Sequence, residues 1–352
     1  MRIGIDARAA VEVKAGRGTL VRELIRSLRD SDVEHEFVLA ARERWDEPLH
    51  ERFTWWLESA ADPWWNVKIG ARAHRRCDVF VSTNSYLTVW FLRVPSVMVV
   101  CDMVTFHDEY RPQRRAKIIE RATLPLAVRR ADVFAAISQA TADDLAAHFP
   151  RAARKTVVTP LAADEHFFTA EPGDVRERLG LPRPYVLAVG TLEPRKNLPA
   201  LIEAFTGLPE HTHDLVLVGA LGWDTGETQE AIARHPGRIR SLGHVPDDDL
   251  ARLYAGAALF AYPSLYEGFG LPVLEAMAAG APVLTSNVSS LPEVAGDAAI
   301  LVDPRSIDSI REGLRRGLTD PPSGGRERAR TFSWARYAEQ IVQACATARS
   351  RS

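Results

Sequence analysis

Glu267 and Glu275 stand eight residues apart in the stretch Tyr262-Pro-Ser-Leu-Tyr-Glu-Gly-Phe-Gly-Leu-Pro-Val-Leu-Glu275. The apolar run before it reads as a strand that ends near Tyr262. A loop carrying Glu267, Gly268, Phe269 and Gly270 follows, and Pro272 suits the first positions of a helix. Gly280 suits that helix's C-terminal stop, which puts Glu275 in its first turn. One carboxylate on the loop and one on the helix start can face a single crevice. The glycines around Phe269 free backbone N–H groups at a helix N-terminus, which favours an anion. Carboxylates beside an anion make sense when the ligand also carries hydroxyls, from which they accept strong hydrogen bonds. The plainer role for Glu275 is to complement the helix dipole.

A second segment, Gly190-Thr-Leu-Glu-Pro-Arg-Lys-Asn197, places Arg195 and Lys196 between an apolar strand and a helix. Two cations at the positive end of a helix are unfavourable unless an anion arrives. A diphosphate would need such cations together with helix-end N–H groups. Lysine is scarce in this chain: Lys14, Lys68, Lys117, Lys155 and Lys196 are the five among 44 positive side chains. Lys196 is therefore less readily background.

The elements that must carry these residues follow from length and pattern. The 352 residues suggest two domains at about 150 each, and 44 cations against 46 anions exclude a strongly basic nucleic-acid binder. Apolar runs at 2–5, 36–40, 79–81, 96–101, 133–137 and 156–159 alternate with helical patterns such as 19–29 and 140–148. A second series at 185–189, 214–219, 238–242, 258–262, 282–285 and 299–302 alternates with helices at 197–205 and 247–254. This is the pattern of two doubly wound α/β domains in tandem, whose ligands bind beyond the carboxyl ends of the strands. The expected division is an acceptor-side domain over 1–170, a Pro/Gly-containing linker over 171–183, a nucleotide-sugar domain over 184–331 and a final helix over 332–352. Cys77, Cys101 and Cys345 show no paired spacing that implies a disulfide or zinc site. His211 and His213 read as a solvated turn, and Asp247 to Asp249 as a capped helix start, so no metal is expected.

The segments 190–197 and 267–282 resemble the retaining family-4 glycosyltransferases of GT-B fold. The likeness extends over most of the chain, through Ala131-Asp-Val-Phe-Ala-Ala-Ile-Ser-Gln-Ala, Leu242-Gly-His-Val-Pro-Asp and the terminal Phe332-Ser-Trp. It implies two Rossmann-like domains facing a deep cleft, with a C-terminal helix that crosses back to the first domain. It further implies that Arg195 and Lys196 hold the nucleotide diphosphate. Glu267 and the backbone of Gly268, Phe269, Gly270 and Leu271 would hold the donor sugar, Glu275 the ribose, and Val245 would flank the base. The glycine-rich turn of such enzymes corresponds to Gly16 and Gly18, which a tight turn alone would also explain. Where relatives commonly carry His-Asp, this chain has Cys101-Asp102. Asp102 matches as a catalytic candidate, and His107 lies a few residues on.

Acceptor-side candidates are His107, Trp55 and Trp56, with Trp64 and Trp65 close by; paired indoles stack on sugar rings, or simply pack a core. The stretch 111–130 holds seven cations and one anion, Glu120, interleaved with Ile118, Ile119, Leu124 and Leu126. It reads either as a basic amphipathic face for anionic lipid or as a solvated helix face. The expected function is a retaining hexosyltransferase, with mannose a candidate sugar, acting from a nucleoside-diphosphate sugar to a glycan or lipid-linked acceptor in cell-surface polysaccharide synthesis. Its expected partners are that nucleotide sugar and acceptor, without nucleic acid, cofactor or metal. The alternatives are a nucleotide-sugar epimerase of the same fold and a non-catalytic nucleotide-sugar-binding subunit. The start of the chain lacks the apolar core of a signal peptide. A cytoplasmic protein is expected, peripheral at the inner face of the membrane if the acceptor is lipid-linked.

Overall fold

The computed structural model describes residues 1–13, 16–209 and 212–351. Lys14 of the glycine-rich loop and His211 of the H-x-H pair lie outside the described residues. The chain divides into two compact units. The first holds Met1–Phe106, Pro112–Leu161 and Ser333–Ser352; the second holds His107–Arg111 and Ala162–Phe332.

The first unit is built on seven strands: β1 (Arg2–Asp6), β2 (Glu36–Ala41), β3 (Phe53–Leu57), β4 (Val79–Ser82), β5 (Ser96–Val100), β6 (Val133–Ala136) and β7 (Thr156–Val158). All pair in parallel, in the order β3-β2-β1-β4-β5-β6-β7. Central strands such as β1, β4 and β5 are buried on both faces, so they read as continuous apolar runs. The helix Arg17–Arg29 buries Leu20, Val21, Leu24, Ile25 and Leu28, the one-sided stripe of a helix laid on a sheet. The last helix, Trp334–Arg351, buries Tyr337, Ala338, Ile341, Ala344, Cys345 and Ala348. It packs on helix Arg17–Arg29 and on β4, β5 and β6, within the first unit.

Strand β3 carries the pair of indoles read from the sequence as sugar platforms. The pleat divides them: Trp56 is 5% exposed in the core, and Trp55 is only partly covered. Trp65 is fully buried with the Arg8 guanidinium 3.5 Å from its ring centroid, whereas Trp64 is 65% exposed. Trp56 and Trp65 therefore serve packing and offer no stacking surface, a correction to the acceptor-side expectation for Trp56.

The second unit carries β8 (Tyr185–Val189), β9 (Asp214–Val218), β10 (Ile239–Gly243), β11 (Leu259–Tyr262), β12 (Val283–Ser286) and β13 (Ile300–Val302). They too are all parallel, in the order β10-β9-β8-β11-β12-β13. The order reverses between β8 and β11, as it does between β1 and β4 in the first unit. The unit begins at Ala162, ahead of the expected boundary at 170, and takes in the stretch expected to be a linker. Phe167 and Val175 are buried there, Phe167 against Tyr254, so apolar burial anchors a segment whose prolines and glycines suggest a tether.

Candidate active site

At the switch point of the second unit, the loop after β8 meets the loop after β11. Gly219 fixes how close the β8 and β9 loops come: at φ +144°, a Cβ there would stand 2.0 Å from the carbonyl oxygen of Gly190. The short 3-10 turn Pro194–Lys196 then aims its cations back across the strand ends. Lys196 Nζ donates to Glu267 Oε1 at 2.6 Å and also hydrogen-bonds the Tyr262 hydroxyl at the end of β11. Arg195 Nη1 donates to Glu267 Oε2 at 2.5 Å and to the carbonyl of Tyr266 at 3.1 Å, while its Nε pairs with Glu193.

Electrostatics follow from burial. Removal from water would raise the Glu267 carboxyl, but Arg195 and Lys196 outweigh it and hold the carboxyl down at about 2. Burial, with Arg195 beside it, lowers the Lys196 ammonium from its ordinary range, against the pull of Glu267. Glu267 is thus the fixed counter-ion of both cations, with each oxygen engaged.

The backbone of the Glu267 loop is pinned from the loop after β12. Glu267 N–H donates to Ser289 Oγ at 3.1 Å, and the Ser290 hydroxyl reaches the carbonyls of Glu267 and Phe269 at 2.9 and 2.8 Å. Phe269 is buried against Phe332. Gly270 takes φ +106°, where a Cβ would meet Leu291 at 2.8 Å. It leads into helix Leu271–Ala279, whose N-terminus no side chain caps. Pro272 carries no N–H and the Val273 N–H donates to the Gly270 carbonyl at 2.9 Å, so the group of this first turn suited to an anion is the Leu271 N–H.

Glu275 lies one residue further along the helix than expected: the helix starts at Leu271, ahead of Pro272, and holds no acidic residue in its first turn. A dipole-complementing role is therefore weak. Its Oε2 accepts the Tyr254 hydroxyl at 3.0 Å, and burial raises its carboxyl to about 7 despite that hydrogen bond. The His166 imidazole is raised by its hydrogen bond to Asp164, with Glu275 contributing. Val245 is 7% exposed, after β10.

The remaining candidates lie elsewhere. Gly16 has φ +58° at the start of helix Arg17–Arg29. Gly18 has a packing reason of its own, because a Cβ there would overlap the Val13 carbonyl oxygen at 1.7 Å. Asp102 belongs to the first unit and accepts the Val104 N–H at 3.0 Å. Burial raises the neighbouring Cys101 thiol, so it is no ready base. The His107 ring lies tilted against those of Tyr110 and Tyr266, with centroids 5.7 and 5.2 Å away. Tyr254, Tyr262, Ser289 and Ser290 escaped the sequence reading, since each acts through a partner distant in the chain. Tyr262 alone left a signal, as the last strand residue before the Glu267 loop.

Two parallel sheets, each with a switch point, and a cation pair at one of them define the GT-B class of glycosyltransferase. The description Glycosyl transferases group 1 matches residues 174–336, and Glycosyltransferase Family 4 matches residues 15–167. The chain is 37% identical over 264 residues to the O-antigen chain mannosyltransferase B of Escherichia coli, covering 69% of each. It is 30% identical over 293 residues to a D-inositol 3-phosphate glycosyltransferase of Corynebacterium aurimucosum, covering 74% of this chain and 69% of that one. It is 34% identical to the serotype-specific mannosyltransferase WbdA of Escherichia coli, of whose length it spans only 28%. In fold it is similar to sucrose-phosphate synthase from Thermosynechococcus elongatus (TM-score 0.80, 20% identity, all of both chains). It is also similar to Anabaena Alr3699/HepE in complex with UDP and glucose (TM-score 0.76, 19% identity, 97% of this chain and 98% of that one). The chain belongs to glycosyltransferase family 4.

Proposed function

We propose that the protein transfers a hexose, mannose as in the two Escherichia coli relatives, from a nucleoside-diphosphate sugar to a glycan acceptor in cell-surface polysaccharide synthesis, with retention of anomeric configuration. The observation that carries this reading is the convergence of Arg195 and Lys196 on Glu267 at a switch point, beside an uncapped helix N-terminus. In this reading the diphosphate lies against the two cations and the Leu271 N–H, and Glu275 takes the ribose hydroxyls. As the glycosidic bond breaks, negative charge grows on the leaving phosphate, and fixed cations stabilise it without a metal. The leaving phosphate oxygen accepts the proton of the incoming hydroxyl on the same face. Such a route asks for no protein base, in keeping with a Cys101 thiol raised by burial.

Among the described residues no helix is long and apolar enough to cross a membrane. A peripheral position at the inner face of the membrane fits helix Arg114–Arg130, which exposes Ile118 and Ile119 among its cations. The deciding experiment offers the purified protein GDP- and UDP-hexoses with a mannose-terminated oligosaccharide and reads the anomeric proton of the product by NMR. An α-linked product from an α-linked donor is expected. A β-linked product, or epimerised donor with no transfer, overturns the reading.

A further inference from the structure

Glu193 is a buried carboxylate beside the cation pair, on the segment that leaves β8; its side chain is 3% exposed, against 22% for Arg195. The backbone that carries it is held on both sides. The Leu192 N–H donates to the Ala220 carbonyl at 2.9 Å, and the Gly222 N–H donates to the Leu192 carbonyl at 3.0 Å. Gly222 lies close over this segment: a Cβ there would stand 2.7 Å from the Leu192 carbonyl oxygen and 3.4 Å from Glu193 Cβ. Glu193 is extended, and Pro194, whose ring fixes φ, opens the 3-10 turn after it. The Lys196 N–H closes that turn on the Glu193 carbonyl at 3.0 Å. A covered carboxylate on so fixed a backbone does not reach a ligand. It reaches Nε of Arg195.

Arg195 therefore stands between two carboxylates. Glu193 holds it at Nε, and Nη1 donates to Glu267 Oε2 at 2.5 Å and to the Tyr266 carbonyl at 3.1 Å. A guanidinium and a carboxylate left to themselves favour a fork of two parallel N–H···O bonds. Here Glu267 meets Arg195 through one oxygen and Lys196 through the other, at 2.6 Å. A guanidinium released by Glu193 could turn onto Glu267 as a fork and point away from a phosphate.

We infer that Glu193 is a positioning residue, which grips Nε and so keeps the Arg195 guanidinium in the plane that meets the donor's diphosphate. The inference rests on the donor reading of this site. Charge supplies a sign that separates aiming from mere proximity. A carboxylate beside an anion site repels the anion, so removing its charge should by Coulomb's law tighten diphosphate binding. If Glu193 acts by aiming Arg195, removing that charge weakens binding instead.

The probes are GDP and UDP, titrated by calorimetry against the full chain. A nucleoside diphosphate carries the charge that the leaving group gains as the sugar departs, so its affinity reports the hold of Arg195 without any transfer. Wild type should bind at least one of the two. Glu193→Gln, which keeps the size and loses the charge, should weaken that binding about tenfold or more, a loss typical of one charge-assisted hydrogen bond. In an Arg195→Ala background the same substitution should weaken nothing further, because its effect passes through the guanidinium. A loss of packing would appear in both backgrounds. Wild type supplies a second measurement. The Arg195 Nε–H signal in nitrogen-edited NMR, assigned by its absence from Arg195→Ala, should be protected from exchange and stay so with the diphosphate bound. Unchanged or tighter binding in Glu193→Gln, an equal loss in both backgrounds, or an Nε–H that loses protection when the diphosphate binds overturns the inference alone. If neither nucleotide binds wild type, the donor reading itself fails and this inference with it.

Discussion

Lys196 and Glu267 come from loops on either side of the switch point in the second unit, and their charged atoms meet at 2.6 Å. Lys196 is 8% exposed and Glu267 7%, so neither charge is hydrated enough to stand alone. Breaking a buried pair by removing one partner costs about 3–5 kcal/mol, because the other is left uncompensated. Glu267→Ala is expected to lose stability in that range by urea unfolding, with Glu267→Gln losing less. A midpoint equal to wild type in the alanine variant would show that the pair does not hold the loops together.

The same carboxylate sets an acid limit. Glu267 is held at about 2, against an ordinary value near 4.5. Above pH 4.5 both folded and unfolded chains carry the charge, and its stabilisation is complete. It is lost as pH falls from about 4.5 through about 2, where the unfolded chain takes up a proton and the folded one resists. Wild type should therefore destabilise faster than Glu267→Gln across this window. Parallel stability–pH curves for the two would contradict the assignment.

Glu275 has the opposite sign. Its carboxyl is raised to about 7 by burial. Stability therefore declines as pH rises from about 4.5 to about 7, where the unfolded chain ionises first, and levels off above. If the ionised form accepts ribose hydroxyls, affinity for a nucleoside-diphosphate sugar should rise between about pH 6 and pH 8. The diphosphate of such a donor does not titrate there. Calorimetric Kd values should become pH-independent in Glu275→Gln. An unchanged slope in that variant would remove Glu275 from the nucleotide site.

The strands of both sheets were readable because parallel strands covered on both faces leave unbroken apolar runs. The edge strand β3 broke that rule: it pairs with β2 alone, and buried Phe53 and Trp56 stand among the exposed Thr54 and Leu57 and the partly covered Trp55. Its indoles drew attention to sugar stacking instead. Arg195, Lys196 and Glu267 were legible because each follows the end of a strand beside glycine or proline. What holds them was not. Tyr262 lies 66 residues from Lys196, and Ser289 lies 22 from Glu267. Only the parallel crossover brings such partners to one end of the sheet. Glu275 stands one position further into the helix than the sequence suggests because Pro272 is the second helical residue, and Gly270 in the left-handed region precedes the helix.

If Arg195 and Lys196 stabilise charge that grows on the leaving phosphate, their removal affects the transition state more than the bound donor. Losing one such group costs about 100-fold or more in turnover. Arg195→Ala and Lys196→Ala should each lower kcat by that order, with a smaller change in donor KM. Steady-state kinetics at saturating acceptor separates the two. A raised KM with kcat untouched in both variants would leave only ground-state binding.

Helix Arg114–Arg130 presents Ile118 at 70% and Ile119 at 48% exposure, with Arg114 and Arg115 exposed beside them. Apolar side chains among cations suit a surface of anionic lipid, where each cation contributes about 1 kcal/mol. Replacing Arg114 and Arg115 with glutamine should therefore weaken binding to anionic vesicles by about 30-fold, since roughly 2 kcal/mol is lost. Salt should mimic this, because at 1 M the Debye length falls to about 3 Å. Ile118→Ser should reduce binding even at low salt, where charge attraction is intact. The measurement is co-sedimentation with vesicles containing phosphatidylglycerol, against vesicles of phosphatidylcholine alone. Wild type in the pellet with the first and in the supernatant with the second is expected. Wild type left in both supernatants at low salt would make this an ordinary solvated helix face and point to an acceptor free in solution.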